Sequence, residues 1–179
     1  MKSFASLIAV ALILTSPSAF SADESFYEAL AQAGMAEVMA GKLAANKGTT
    51  DAVRDFGMMM MKDHGAANQK LADLAKSKGI KLPATAGEAH LAAYKSLQSK
   101  DGARFDPAYI AGQVKGHEEA VQLLKSEIAS GQDPDAKKLA EELLPTVEAH
   151  LKEANRLAGN GAGAGGMAYL GRAAGADRL

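Results

Sequence analysis

The sequence predicts an all-α protein built as a four-helix bundle, and three observations lead there. The 179 residues include no tryptophan and no cysteine, only 5% aromatics, and much Ala, Leu, Glu and Lys, the profile of helical proteins. Long stretches repeat apolar residues at alternating spacings of four and three, as a bundle-facing helix requires. Caps and glycine stops divide these stretches into four long segments, and no sustained period-two run rich in β-branched residues competes with them.

The chain opens with a segment outside that pattern. Lys2 is followed by an apolar run, Phe4 to Leu14, then by Ser16-Pro17-Ser18 and Ala19-Phe20-Ser21. This is the form of a secretory signal peptide, residues 1–21, with cleavage expected after Ser21 because Phe20 would block a cut after Ala22. The run is well short of the ~20 residues of a spanning helix, so no integral membrane segment is expected after cleavage. Without cysteine, no lipid anchor can be attached at the junction. The expected destination is the periplasm. The mature chain would be Ala22 to Leu179, a single-domain length able to bury a core. Its formal charge would be −2, since losing Lys2 removes one unit from −1. Nucleic acid is not an expected partner, because that would require a basic face; no protein partner can be named.

Helix A is expected from about Asp23 to Asn46, stopped by Gly48. Helix B is expected from about Thr50 to Lys78, capped by Thr49 or Thr50 and stopped by Gly79. A capping box, Thr85-Ala86-Gly87-Glu88, should open a short helix ending near Ser99. Helices C and D begin with Asp106-Pro107 and Asp133-Pro134, where Asp caps free amides and Pro fits the first turn. Gly131 should end helix C and Gly159-Asn160 helix D. The bundle domain is then 22–158, followed by a Gly/Ala-rich tail, 159–179, expected to be flexible. Short A–B and C–D links make antiparallel pairs. The long B–C crossover, carrying the extra short helix, favours a ferritin-like bundle over simple up-down topology.

Polar residues interrupt the apolar stripes. Helix B's stripe is Val53, Gly57, Met60, His64, Ala67, Leu71, Leu74; helix C's is Ile110, Val114, His117, Val121, Leu124, Ile128; helix D's is Leu139, Leu143, Val147, His150, Ala154, Leu157. Three of the four histidines thus fall on core stripes, one per helix and none near an end. Helix A contributes Glu37, the only charged residue between Glu28 and Lys42. At a rise of about 1.5 Å per residue, Glu37 lies about 13 Å from the A–B turn and His64 about 21 Å; His117 lies about 20 Å from the C–D turn and His150 about 24 Å. All four belong to the middle third of the bundle, with a mismatch of one to one and a half turns within each pair.

A buried imidazole or carboxylate must be paired or must bind something. Glu37, His64, His117 and His150 make a reasonable ligand set for Zn(II), Cu(II) or Fe(II). Asp63 and Glu118, each one residue from a candidate ligand, point about 100° away and are placed to support a histidine of an adjacent helix. Met60, one turn before His64, is a candidate soft ligand, although methionine commonly fills gaps in helical cores. The same histidines could instead satisfy one another and nearby carboxylates as a structural polar layer. His90, beside Leu91 and Tyr94, reads as structural or exposed. Pro145 should bend helix D.

The stretches "GMAEVMAGKLA", "MMMMKDHGAAN", "FDPAYIAGQVKGHEEAV" and "LLPTVEAHLKEANRLA" resemble the bacterial exported family called domain of unknown function 4142 (DUF4142), over about Phe26 to Leu157. The resemblance implies a ferritin-like bundle in the periplasm or outer envelope and supplies no activity. The chain has no Glu-x-x-His, so a carboxylate-bridged di-iron oxidase is not expected. It also lacks a Gly-rich phosphate loop, a nucleophile elbow and a His-Glu-x-x-His zinc helix; after "HEEAV" begins, Val121 stands where the second histidine would be. The expected function is storage, buffering or sensing of a metal, possible in stress response, with no enzymatic step indicated. The alternative is a non-enzymatic envelope stress or interaction module.

Overall fold

The computed structural model describes the backbone of residues 22–173 and the side chains of 24–159; the expected signal peptide lies outside the described residues. The fold is all-helical: α1 Ala22–Lys47, α2 Asp51–Lys78, α3 Gly87–Gln98, a 3₁₀ turn Gly102–Arg104, α4 Phe105–Ser130 and α5 Pro134–Ala173. No described helix is long and apolar enough to cross a membrane.

Side-chain ties at both ends define the topology. At one end, Asp133 accepts hydrogen bonds from Tyr27 Oη (2.9 Å), Lys78 Nζ (2.8 Å) and the Asp135 amide (3.0 Å), joining the start of α1, the end of α2 and the start of α5. At the other end, Asp106 accepts from the amides and hydroxyls of Thr49 and Thr50 at 2.7–3.1 Å, fixing the α1–α2 turn to the start of α4. The α2–α4 connection must therefore run back along the bundle, and α3 lies within it against α1 and α4.

Local signals explain most helix ends. Thr50 caps α2 by accepting from the Val53 amide, and Gly79 ends it at φ 70°, its N–H returning to Ala75 and Lys76 carbonyls. Three expectations are corrected. Asp133 caps α5, but Asp106 does not cap α4; that helix starts at Phe105, and Asp106 is turned toward the threonines. The Thr85–Glu88 capping box does not form: α3 follows Ala86, which makes no side-chain cap bond, and Gly87 takes φ 78° close against Gln32 of α1. The stop at Gly159-Asn160 is also absent, and the backbone of α5 continues to Ala173. Gly159 keeps a negative φ inside the helix, unlike Gly79, whose left-handed turn ends α2.

The interior contains two apolar clusters. One, at the Asp133 end, gathers Phe26, Tyr27, Leu71, Leu124, Leu139 and Val147; the other, at the Asp106 end, gathers Val53, Phe56, Met60, Phe105, Tyr109 and Ile110. Between them lie the buried side chains of His64, His117 and His150.

Helices α1 and α2 approach until their backbones touch. A Cβ added to Gly41 would lie 2.7 Å from the Gly57 carbonyl oxygen, and one added to Gly57 would lie 2.7 Å from that of Gly41. Gly57→Ala should therefore cost about 1–3 kcal/mol through overpacking and lower Tm by roughly 3–10 °C in thermal unfolding. Gly112, with nothing within 4 Å of an added Cβ, is the contrast: Gly112→Ala should leave Tm unchanged or raise it, since alanine favours helix by ~1 kcal/mol.

Candidate metal centre

The three core histidines meet. His64 of α2, His117 of α4 and His150 of α5 are 9%, 1% and 3% exposed, and their ring centroids are 5.3–5.5 Å apart in every pair. One ring nitrogen from each lies within 4.8 Å of the others. The spacings of four and three bring this about by placing each histidine on its helix's inner face at one common height.

Hydrogen bonds fix two of the tautomers. His117 Nδ1 lies 2.9 Å from the carbonyl oxygen of Gln113, one turn earlier. A carbonyl only accepts, so Nδ1–H donates and Nε2 keeps its lone pair. His150 Nε2 donates to Asp63 Oδ2 at 3.1 Å, leaving its Nδ1 with the lone pair. That Nδ1 is buried with no hydrogen-bond partner. The third ring sits close by, with His64 Nε2 3.4 Å from His117 Nε2. Two imidazole nitrogens bound tetrahedrally to one ion at ~2.0–2.1 Å would be about 3.3 Å apart, so this pair already has a chelating separation.

Burial disfavours the charged imidazolium. The His64 pKa is pushed down to about 3, first by desolvation and then by charge on His117 and His150. Desolvation also lowers His150, partly offset by Asp63. Both rings are therefore neutral near neutral pH, the form that ligates metal.

The other candidates are placed differently. Asp63 accepts a hydrogen bond from His150 of a neighbouring helix. Glu37 is not one of the three clustered residues: its carboxylate accepts from Gln113 Nε2 at 2.7 Å, and it lines the same cavity as the three histidines. Desolvation raises its pKa, with His117, Gln113 and His90 opposing. Met60 is fully buried among the apolar residues of the Asp106-end cluster, consistent with gap filling. Glu118 is exposed and outside the cluster. His90 lines a separate cleft between α3 and the α1–α4 face, together with Tyr94 and Glu37. The sequence reading missed Gln113, which orients His117 through its carbonyl and engages Glu37 through its amide. Its signal was a polar residue four positions before a core histidine.

One side of the histidine layer is closed and the other open. Met60, Ile110 and Ala154 pack in the cluster on the Asp106 side. On the Asp133 side is a cavity of about 270 Å³, lined by all three histidines, by the carboxylates of Glu37, Asp63 and Glu142, and by apolar residues including Leu30, Leu124, Leu143 and Val147.

Fold and site define a class: a helical bundle with a buried three-histidine cluster between two apolar cores. The chain belongs to the family described as a domain of unknown function (DUF4142), whose model matches residues 13–157. Comparison with curated protein sequences yields no match. Two kinds of solved structure share the fold. A DUF305 fragment from Deinococcus radiodurans aligns with a TM-score of 0.69 at 12% identity, covering 80% of this chain and 99% of that one. CopM in its Cu(I)-bound form aligns at 0.66 and 16% identity, covering 79% and 98%; its Cu(II)-bound form aligns at 0.64 and 16%, covering 77% and 96%.

The depressed histidine pKa values set a pH dependence in the metal-free protein. Unfolded histidine titrates near about 6.5, above the folded value for both His64 and His150. Below about pH 6.5 the unfolded chain binds more protons, so stability falls as pH falls and is fully present above that value. Urea midpoints should drop by the equivalent of about 2–3 kcal/mol between about pH 6.5 and pH 4.5. His64→Gln should flatten that slope.

Proposed function

We propose that this protein is an exported, non-enzymatic metal-binding bundle that coordinates one transition-metal ion through His64, His117 and His150. Asp63 holds His150 in the required tautomer, and Gln113 does the same for His117. The reading rests on one observation above the rest: three buried histidines each bring a ring nitrogen within 4.8 Å of the other two, and His150 Nδ1 is a buried lone pair without a partner. A buried nitrogen of this kind costs stability unless something occupies it. Glu37 accepts from Gln113 through Oε2 alone, so its other oxygen could join the ligand set from the same cavity.

Among Zn(II), Cu(II) and Fe(II), copper is the first ion to test. Imidazole donors accept all three, the divalent series places Cu(II) highest, and two of the similar structures are copper-bound forms of CopM. Met60 packs among the apolar residues of the Asp106-end cluster, a placement that favours gap filling over a soft Cu(I) ligand. The role is storage or buffering in the periplasm, with residues 1–21 as the export signal and a contribution to stress resistance following from metal control.

A second reading is favoured by the hydrogen bonds already present. A His64 Nε2–H can donate to His117 Nε2, and Asp63 accepts from His150. The histidines would then be a structural polar layer in an envelope interaction module, with function at the surface.

Isothermal titration with Cu(II) and Zn(II), followed by elemental analysis of desalted protein, separates the two. The metal reading expects one equivalent bound, its loss in His64→Ala/His150→Ala, and retention in His90→Ala. At a hundredfold excess over Kd, loading should stabilise the fold by about 2.7 kcal/mol, a Tm rise of roughly 5–10 °C. Unchanged metal content in the double variant, or a Tm indifferent to chelator, overturns the metal reading in favour of the polar layer.

A further inference from the structure

The cleft between α3 and the α1–α4 face is lined by two side chains whose buried polar atoms nothing in the described chain satisfies. Tyr109 and Gln113 are 1% and 3% exposed, and neither Tyr109 Oη nor Gln113 Oε1 has a hydrogen-bond partner. They stand four residues apart on α4 and so share one face of that helix. Glu37 orients Gln113: a carboxylate only accepts, so it takes the amide nitrogen, at 2.7 Å, and Oε1 is left over. The charge of Glu37 also acts on the Tyr109 phenol, which puts that hydroxyl on the Glu37 side. Burial and this charge push the phenol pKa up, so its proton stays. No core histidine lines the cleft.

We propose that this cleft binds a small neutral molecule with a hydroxyl on a hydrocarbon body, the hydroxyl accepting from Tyr109 and donating to Gln113. The Tyr109 proton needs an acceptor and Gln113 Oε1 needs a donor. An anion only accepts and would leave Gln113 Oε1 bare. An ammonium only donates and would leave the Tyr109 proton bare. The charged lining selects neither sign: Lys100 and Lys115 balance Glu37 and Glu119, with Lys115 3.7 Å from Glu119. The cleft holds about 630 Å³, within the ~300–1,000 Å³ of small-molecule sites and far beyond the ~10–15 Å³ that admits one water. Its walls include Ala36, Ala40, Ala89, Ala93, Leu97 and Leu123, against which a hydrocarbon body gains and water does not. The outer wall, α3, has no buried residue, so a ligand enters without opening the core.

The test follows amide NMR shifts of the full mature chain, stripped of metal by chelator. The probes, titrated separately, are n-hexanol, methyl pentyl ether, hexanoate and hexylammonium. The expected result is a single n-hexanol bound, with shifts at Tyr109, Gln113 and the facing turns of α1 and α3. The ether is an isomer of the alcohol without its O–H, and should bind about fivefold more weakly; each ion leaves one buried atom bare and should bind about tenfold more weakly. Tyr109→Phe should weaken n-hexanol about fivefold. Ala93→Leu, which narrows the cleft from an exposed position on α3, should weaken all four probes. Circular dichroism identifies a variant that fails to fold, and the other variant then carries the comparison. No shift with n-hexanol would mean that water alone serves the two atoms, and overturns the proposal. Equal affinity for alcohol and ether, or tighter binding of either ion, overturns it as well. So do shifts centred on His64, His117 and His150, which would place the ligand in the other cavity. A protein that binds n-hexanol in the cleft but no metal keeps this proposal and loses only the metal reading.

Discussion

A polar layer buried between two apolar cores constrains everything else in this bundle. Each imidazole nitrogen placed there must give or receive a hydrogen bond, or ligate something, because water is largely excluded. The molecule meets this demand in part. A backbone carbonyl takes the proton side of His117, a carboxylate takes that of His150, His64 Nε2 lies 3.4 Å from His117 Nε2, and His150 Nδ1 is left without a partner. Burial holds His64 and His150 below the ordinary histidine range, so both rings stay neutral, and neutrality is what leaves their nitrogens able to coordinate.

The surrounding fold serves this layer by holding helix heights. A histidine shifted by one turn along its helix would face one of the apolar clusters instead. Asp106 pins the α1–α2 turn to α4, and Asp133 pins α1 and α2 to α5, so the three histidine-bearing helices are referenced to each other at both ends. Both aspartates are held below the ordinary carboxylate range: burial pushes their pKa up, and the hydrogen bonds they accept, with Lys78 beside Asp133, more than reverse it. They therefore remain charged acceptors down to mildly acidic pH.

Much of this was legible in the sequence because period and height are local properties. Alternating steps of four and three placed His64, His117 and His150 on inner faces, and counting residues from each turn put them in one layer. Asp63 followed from the 100° step between neighbours on a helix. The same arithmetic left Glu37 less well placed, about 8 Å nearer the α1–α2 turn than His64; in the structure it meets Gln113, one turn before His117, and lines the cavity of the three histidines. Gln113 went unread because a glutamine on an apolar stripe carries no chemistry until its partners are known. Asp106 misled because Asp-Pro is a local capping signal, whereas its actual partners are Thr49 and Thr50, more than fifty residues away. The run-on of α5 past Gly159 shows that glycine only permits a stop; Gly79 ends α2 by turning left-handed and Gly131 ends α4 by turning extended, whereas Gly159 stays within the helix.

The donors are divided unevenly between two hairpins. His64 belongs to the α1–α2 pair, drawn together through Gly41 and Gly57, while His117 and His150 belong to the α4–α5 pair. Any guest gripped by all three rings is thus a clasp across the seam between two halves of the chain. Its presence would be felt as resistance to parting those halves, so that slow breathing of the bundle, more than the shape of its resting state, would report whether the clasp is shut.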